Sequence, residues 1–151
     1  MTNFDRVREI CSGWGLYQVS TELTQILYAV SEAGELAKSI AKNDREQARD
    51  DIGDVLVCLI NAYELSGNEN HLEDQVDFEI KQLDNLTAFG LLIEGFGSQI
   101  INNSFRYSGV AISIATIASN MLLTIDECLL QAISEIEKRK GKIVNGVFVK
   151  D

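Results

Sequence analysis

The chain has 151 residues, with 23 acids against 13 bases and a formal charge of -10. That length suits one domain with a real core, and a hydrophobic content of 46% excludes a disordered polyanion. The negative field repels nucleic-acid backbones but suits cations wherever the acids cluster.

No proline occurs anywhere, so nothing forbids helix over the whole length. The opening stretch MTNFDRVREI is too charged for a signal peptide. Over residues 22–41, Leu23, Ile26, Leu27, Val30, Ala37 and Ala41 recur at helical spacing and predict one buried stripe. Glu32 and Glu35 fall on the side away from it, beside Tyr28. Asn43-Asp44 is a helix stop and a new start. The next helix is expected over residues 45–65, and its segment Val55-Leu56-Val57-Cys58-Leu59-Ile60 is apolar all round, the mark of a central helix. Ser66-Gly67-Asn68 closes it, and a polar, acidic helix is expected over residues 71–83.

The second half resembles a worn copy of the first. Shifting by 63 places Gly34 on Gly97, YAVSEAGEL over LLIEGFGSQ and GDVLVCLINA over TIASNMLLTI. Most apolar positions keep apolar partners, whereas Glu32 meets Gly95, Glu35 meets Ser98, Asp51 meets Ile114 and Asp54 meets Ile117. The expected organisation is a single all-α domain, with residues 1–85 as a metal-binding repeat and residues 86–151 as a degenerate repeat plus tail. Residues 107–125 carry no charge and are about long enough to span a membrane, but their serines, threonines and asparagine and the absence of a flanking basic cluster favour a core helix. After a helix expected over residues 126–140, Asn145-Gly146 between two β-branched runs predicts a hairpin. Two strands alone are marginal, so the tail should lie against the body or a partner chain.

Glu32 and Glu35, three residues apart, share a helix face, as do Asp51 and Asp54 on the next helix. An antiparallel pairing across the short link would bring the four carboxylates together. Gly34 and Gly53, each just before the second acid of its pair, are expected to give close helix approach. Four like charges need a counter-charge, and all-oxygen ligands point to Mg2+ or Mn2+. Solvated helix faces also carry such pairs, but two pairs with matched glycines are harder to dismiss. A di-iron bundle would need Glu-x-x-His, and the single histidine, His71, sits in a polar run. Neither segment has the alternating acids of a calcium loop. Cys11, Cys58 and Cys128 show no paired metal spacing and suit a reducing compartment, so a cytoplasmic chain is expected.

GELAKSIAKNDREQARDDIGDVLVCLINA resembles the MazG-like, all-α nucleoside triphosphate pyrophosphohydrolases, whose signature is E-E-x-x-E followed after a gap by E-x-x-D. The segment DECLLQAISEIEKRKGKIVNGVFVKD looks like the C-terminus of the short phage-type members. The resemblance implies a helical bundle that splits a (deoxy)nucleoside triphosphate, dUTP- or dCTP-like, into monophosphate and pyrophosphate. It implies Glu32, Glu35, Asp51 and Asp54 as Mg2+ ligands, with Mn2+ as an alternative, and Glu32 or Glu35 as the catalytic carboxylate that handles water. Ser31 replaces the family's leading glutamate, Asp51 is shorter than its glutamate, and Tyr28 stands where many members have lysine.

Asn61, two turns past Asp54, could meet sugar or base or be a satisfied core polar. Cys58 on the same stripe reads as packing. Arg139 falls where the family has a phosphate-binding arginine, with Lys142 nearby, although the companion lysine is replaced by Glu135. Lys138 and Lys140 close a helix in the sense its dipole favours. Trp14 could stack on a base or pack in the core. The rival reading is a catalytically weak helical module for oligomerisation or regulation. Residues 86–125 carry only Glu94 and Arg106 as charges, too few for a solvated helix pair, which predicts a homodimer.

Overall fold

The computed structural model describes residues 1–75, 80–102, 106–144 and 147–150. Helix α1 (Asn3–Gly13) starts in a reciprocal cap, Thr2 accepting from the Asp5 amide while the Asp5 carboxylate accepts from the Thr2 amide. Helix α2 (Leu16–Val19) is one turn long, and α3 (Glu22–Lys42) and α4 (Arg45–Leu65) form the central hairpin. Two residues make the link between them. Asn43 ends α3 in the left-handed region (φ 52), and the Asp44 side chain accepts from the Gln47 amide to start α4. Both expected helices therefore lie where the sequence places them.

The expected helix over residues 71–83 is cut short. Helix α5 covers Leu72–Gln75 only, and residues 80–84 are not helical; residues 76–79 lie outside the described residues. Asp84 explains the break, because its carboxylate accepts from the Thr87 amide at 2.8 Å and caps the next helix. Helices α6 (Asn85–Asn102) and α7 (Tyr107–Asn120) pack on each other. Residues 107–125 are thus not one continuous helix, since Leu122 turns into the left-handed region (φ 57) before Thr124 and Glu127 cap α8 (Ile125–Glu137). Among the described residues no single helix is long and apolar enough to cross a membrane. The bent pair α7 and α8, 96° apart, passes by length and composition, but eight α7 residues from Val110 to Ala118 are buried inside the fold.

Strands β1 (Gly141–Val144) and β2 (Val147–Lys150) pair antiparallel, with Gly141 opposite Lys150 and Val144 opposite Val147. The turn residues 145–146 lie outside the described residues. The hairpin is tied to the body, as expected of two strands alone: the Ile143 amide donates to the Trp14 carbonyl at 3.2 Å.

Helix α4 is central, touching α1, α2, α3, α5, α7 and α8, and Val55, Leu56, Leu59 and Ile60 are fully enclosed. Two expectations fail on its neighbour. The buried face of α3 is Ile26, Ala29, Ala33 and Leu36, with Gln25 and Ser39, whereas Leu23 and Leu27 are 47% and 52% exposed. The small alanines let α4 come close, so the packed face is rotated from the stripe of larger residues towards Glu32. The paired-glycine expectation fails as well. Gly34 has open space around it, and Gly53 faces α8 rather than α3, where a Cβ would collide with the Cys128 carbonyl oxygen.

Candidate active site

A cavity of about 300 Å³ opens between α3, α4 and the C-terminal end of α8. Its walls include Glu32 and Tyr28 from α3, Asp54, Cys58 and Asn61 from α4, Trp14 at the end of α1, Arg139 just beyond α8, and Ile143 on β1. Five of the eight predicted site residues therefore meet at one place: Trp14, Glu32, Asp54, Asn61 and Arg139. Glu35, Asp51 and Lys142 are not in its wall.

The α4 contribution follows from helix geometry. Asp54, Val57, Cys58 and Asn61 are three, four and seven residues apart from the first, and all face the hollow. Asn61 is held by its neighbours, accepting from the Tyr17 hydroxyl at 2.8 Å and donating to Cys11 Sγ at 3.4 Å. It is both a satisfied polar group and a cavity wall. Trp14 likewise packs against the core while lining the hollow. Burial raises the Cys58 thiol, consistent with a packing role.

The carboxylates differ in environment. Burial pushes the Asp54 carboxyl up to about 7, helped by the negative charges of Asp50, Glu32 and Asp51 and opposed by Arg139. Glu32 is raised for the same reasons, burial first and then Asp51 and Glu35, with Arg139 again opposing. Asp51 is buried between the hairpin arms: Ser39 Oγ donates to its Oδ2, and Gln47 Nε2 to its Oδ1 at 2.9 Å. Glu35 is exposed and binds Lys38 at 2.7 and 2.9 Å. The expected convergence is thus partial, and among the described residues no three histidine, cysteine or carboxylate side chains meet at metal-ligand spacing. Glu35 and Asp51 have instead taken protein partners. At the C-terminal end Lys138 is engaged by Glu135 at 3.4 Å, while Lys142 is exposed on β1.

Residue-by-residue reading overlooked Asp50, whose buried Oδ1 has no hydrogen-bond partner. The signal was present in the sequence, since Asp50 precedes Asp54 by about one helical turn, although Asp50 is not in the cavity wall. An orphaned carboxylate oxygen beside desolvated carboxylates, all hard oxygen donors, fits a divalent cation of the magnesium or manganese kind. It also overlooked Tyr17 and Gln25, a buried glutamine in the wall whose amide donates to Ser20 Oγ at 2.9 Å.

An all-α bundle whose central hairpin presents carboxylates to a cavity, with an arginine opposite, is suited to an anionic substrate approached through a cation. The model of the MazG nucleotide pyrophosphohydrolase domain matches residues 20–81, a stretch that contains α3, α4 and α5. That stretch is similar to the MazG family, and the described residues fold as an all-α bundle with a short C-terminal hairpin. No curated protein and no solved structure gives a significant match.

Proposed function

We propose that the chain hydrolyses a (deoxy)nucleoside triphosphate between the α and β phosphates, with Mg2+ or Mn2+, releasing the monophosphate and pyrophosphate. The observation that carries this reading is the cavity in which Glu32 and Asp54 of the matched segment face Arg139. The two carboxylates, with Asp51 and Glu35 at their flanks, would hold the cation, which supplies positive charge against the phosphates and acidifies water. Glu32 is half-buried and raised, so it is placed to orient the attacking water and take its proton; Glu35 is the alternative. Arg139 would hold phosphate oxygens, with Lys142 reaching from the hairpin. Trp14, Tyr28 and Asn61 would receive the base and sugar, of the dUTP or dCTP type.

The decisive experiment is pyrophosphate release from a panel of deoxynucleoside triphosphates with Mg2+ or Mn2+. Equal yields of monophosphate and pyrophosphate from at least one substrate are expected. No release from any would favour a helical oligomerisation or regulatory module, a reading helped by the engagement of Glu35 with Lys38 and of Asp51 with Ser39.

Residues 86–151 are proposed to be a degenerate repeat that serves assembly. Helix α6 exposes Leu91, Ile93, Ile100 and Ile101, the last 80% exposed, and α3 exposes Leu23 and Leu27. Apolar surface on that scale is usually covered by a partner. A homodimer burying about 2,000 Å² or more is expected. A monomeric mass by light scattering at micromolar concentration would refute it.

A further inference from the structure

We propose that Gln25 selects the base, its carboxamide oxygen taking the exocyclic amino group of a cytosine-type triphosphate. Ser20 is the positioning residue that holds the amide in that orientation. This rests on the reading above and narrows its substrate class, favouring dCTP over dUTP.

The cavity has two unlike ends. Gln25, Tyr28 and Glu32 are spaced by three and four residues, so they form one row on α3, and all three line the hollow. Asp54, Cys58 and Asn61 form the facing row on α4. Counted outward from the two-residue link of the hairpin, Glu32 comes level with Asp54 and Gln25 with Asn61, each to within a residue. Seven residues of helix, about 10 Å, separate the two levels. The level of Glu32 and Asp54 is charged and feels Arg139, which suits phosphate and cation. The other level offers two carboxamides, and Asn61 is tied there to Cys11, a wall residue from α1. A base belongs at the uncharged end, because a sugar stands between it and the phosphates.

Gln25 is 4% exposed, and its Nε2 donates to Ser20 Oγ at 2.9 Å. Its Oε1 accepts no hydrogen bond among the described residues, yet it is not sealed off. In a residue otherwise enclosed, that oxygen opens on the cavity the residue lines. A desolvated amide oxygen needs a partner and can only accept, so the group that completes it is an N–H. In a pyrimidine the substituent at position 4 lies opposite the glycosidic nitrogen, farthest from sugar and phosphates. It is an amino group in cytosine and an oxo group in uracil. An acceptor at the far end of the hollow welcomes the first and opposes the second. Ser20 decides which end of the amide faces inward. It stands in extended backbone after α2 (φ -104, ψ 170), and its hydroxyl has no other partner among the described residues.

The test has two readouts: pyrophosphate release from dCTP and dUTP with Mn2+, and calorimetric binding of dCMP and dUMP without cation. The parent should prefer dCTP by about tenfold or more in kcat/KM and bind dCMP more tightly than dUMP. Gln25→Met keeps side-chain length and removes the acceptor. Its dCTP to dUTP ratio should fall to within about threefold, chiefly through a higher KM for dCTP. Ser20→Ala frees the amide to turn its N–H inward, so dUTP should gain and the ratio should fall. Ser20→Thr keeps the hydroxyl and should restore it. If Gln25→Met does not fold, as judged by circular dichroism, the two Ser20 variants decide. A parent that prefers dUTP would mean that Ser20 donates to the amide oxygen, and would overturn the proposal. So would a parent without preference, or a Gln25→Met variant that loses both substrates equally. If no triphosphate releases pyrophosphate, the functional reading falls, and the monophosphates decide this inference separately: preference for dCMP that Gln25→Met abolishes sustains it, and equal binding ends it.

Discussion

The two helix pairs of this chain, α3 with α4 and α6 with α7, differ in what they enclose. Shifted by 63, the first residue of α3, Glu22, falls on the first residue of α6, Asn85, and the start of α4 falls within a residue of the start of α7. Both pairs are knit by small residues. In the first pair the position of Glu32 opens on a cavity; in the second its counterpart, Gly95, is buried, and a Cβ there would run into Val110. Asp51 and Asp54 correspond to Ile114 and Ile117, both fully enclosed. A hollow of about 290 Å³ does exist between α6 and α7, but Lys81 and Arg106 line it with Glu94, so its charge is unlike the carboxylate wall of the first pair. A helix pair that keeps carboxylates must leave them space, solvent and a counter-ion. One that exchanges them for isoleucine and glycine needs no counter-ion at those positions: Ile114 and Ile117 become core, while Gly95 still borders the hollow between α6 and α7.

The sharpest way to break that contrast is to remove the carboxylates. Glu32→Gln and Asp54→Asn should each lower pyrophosphate release by about 100-fold or more, since each takes away charge or proton-transfer capacity at the cavity. Helical circular dichroism should be unchanged. Glu35→Gln is expected to abolish turnover too if Glu35 leaves Lys38 to act on substrate; full activity in that variant would leave Glu32 as the carboxylate that handles water.

At the matched positions stability should respond in opposite senses. Ile117→Ala should cost about 2–5 kcal/mol, the range for emptying a fully enclosed site. Asp54→Asn should raise the cation-free melting temperature at pH 8, because it removes a desolvated charge among like charges. Gly53→Ala should cost about 1–3 kcal/mol, because the added methyl meets the Cys128 backbone, which cannot swing aside as a side chain could. Thermal or urea melts would measure all three, and a neutral Gly53→Ala would mean that α8 can slide on α4.

Acidity offers a gentler probe. The Asp54 carboxyl is raised from 3.8 to about 7, and Glu32 is raised with it, so the pair titrates together. Between those values the folded chain holds protons that the unfolded chain has released. Stability of the cation-free chain should therefore fall as pH rises from about 4 to 7, by at most about 1.4 kcal/mol per unit for each proton held. Above 7 the slope should vanish. Mn2+ must displace the same protons, so its apparent affinity should climb over that window. A flat melting temperature between pH 5 and 7 would show that Asp54 is already ionised there.

The helix hairpin was legible in the sequence because its signals are local: a stop and a cap at Asn43-Asp44, and a run from Val55 to Ile60 with no polar face. The cavity was legible for the same reason on α4, where Asp54 and Asn61 share a row. What the sequence hid is tertiary. Leu23 and Leu27 look like core until Ala29 and Ala33 are seen to be the residues that let α4 approach. Asp50 and Asp51 are adjacent letters, and only the placement of Ser39 and Gln47 shows that Asp51 is the one hydrogen-bonded through both oxygens. Gly53 announces close packing, but not that its partner is α8, more than seventy residues further on.

The smallest expected effect concerns the two glycines that the overlay aligns, Gly34 and Gly97. Both are inside helices, neither has a positive φ, and a Cβ at either would find open space. Within one chain, glycine at such a position only adds freedom to the unfolded state. Gly34→Ala and Gly97→Ala should therefore each stabilise by about 0.5–1 kcal/mol, and the double variant by about the sum. Melting at several protein concentrations sharpens the result. If either alanine destabilises, and does so more strongly at concentrations where the chain associates, then the glycine is holding open a contact with a second chain. That outcome would locate the homodimer surface on α3 or α6 and would turn an unexplained pair of glycines into a record of how two copies meet.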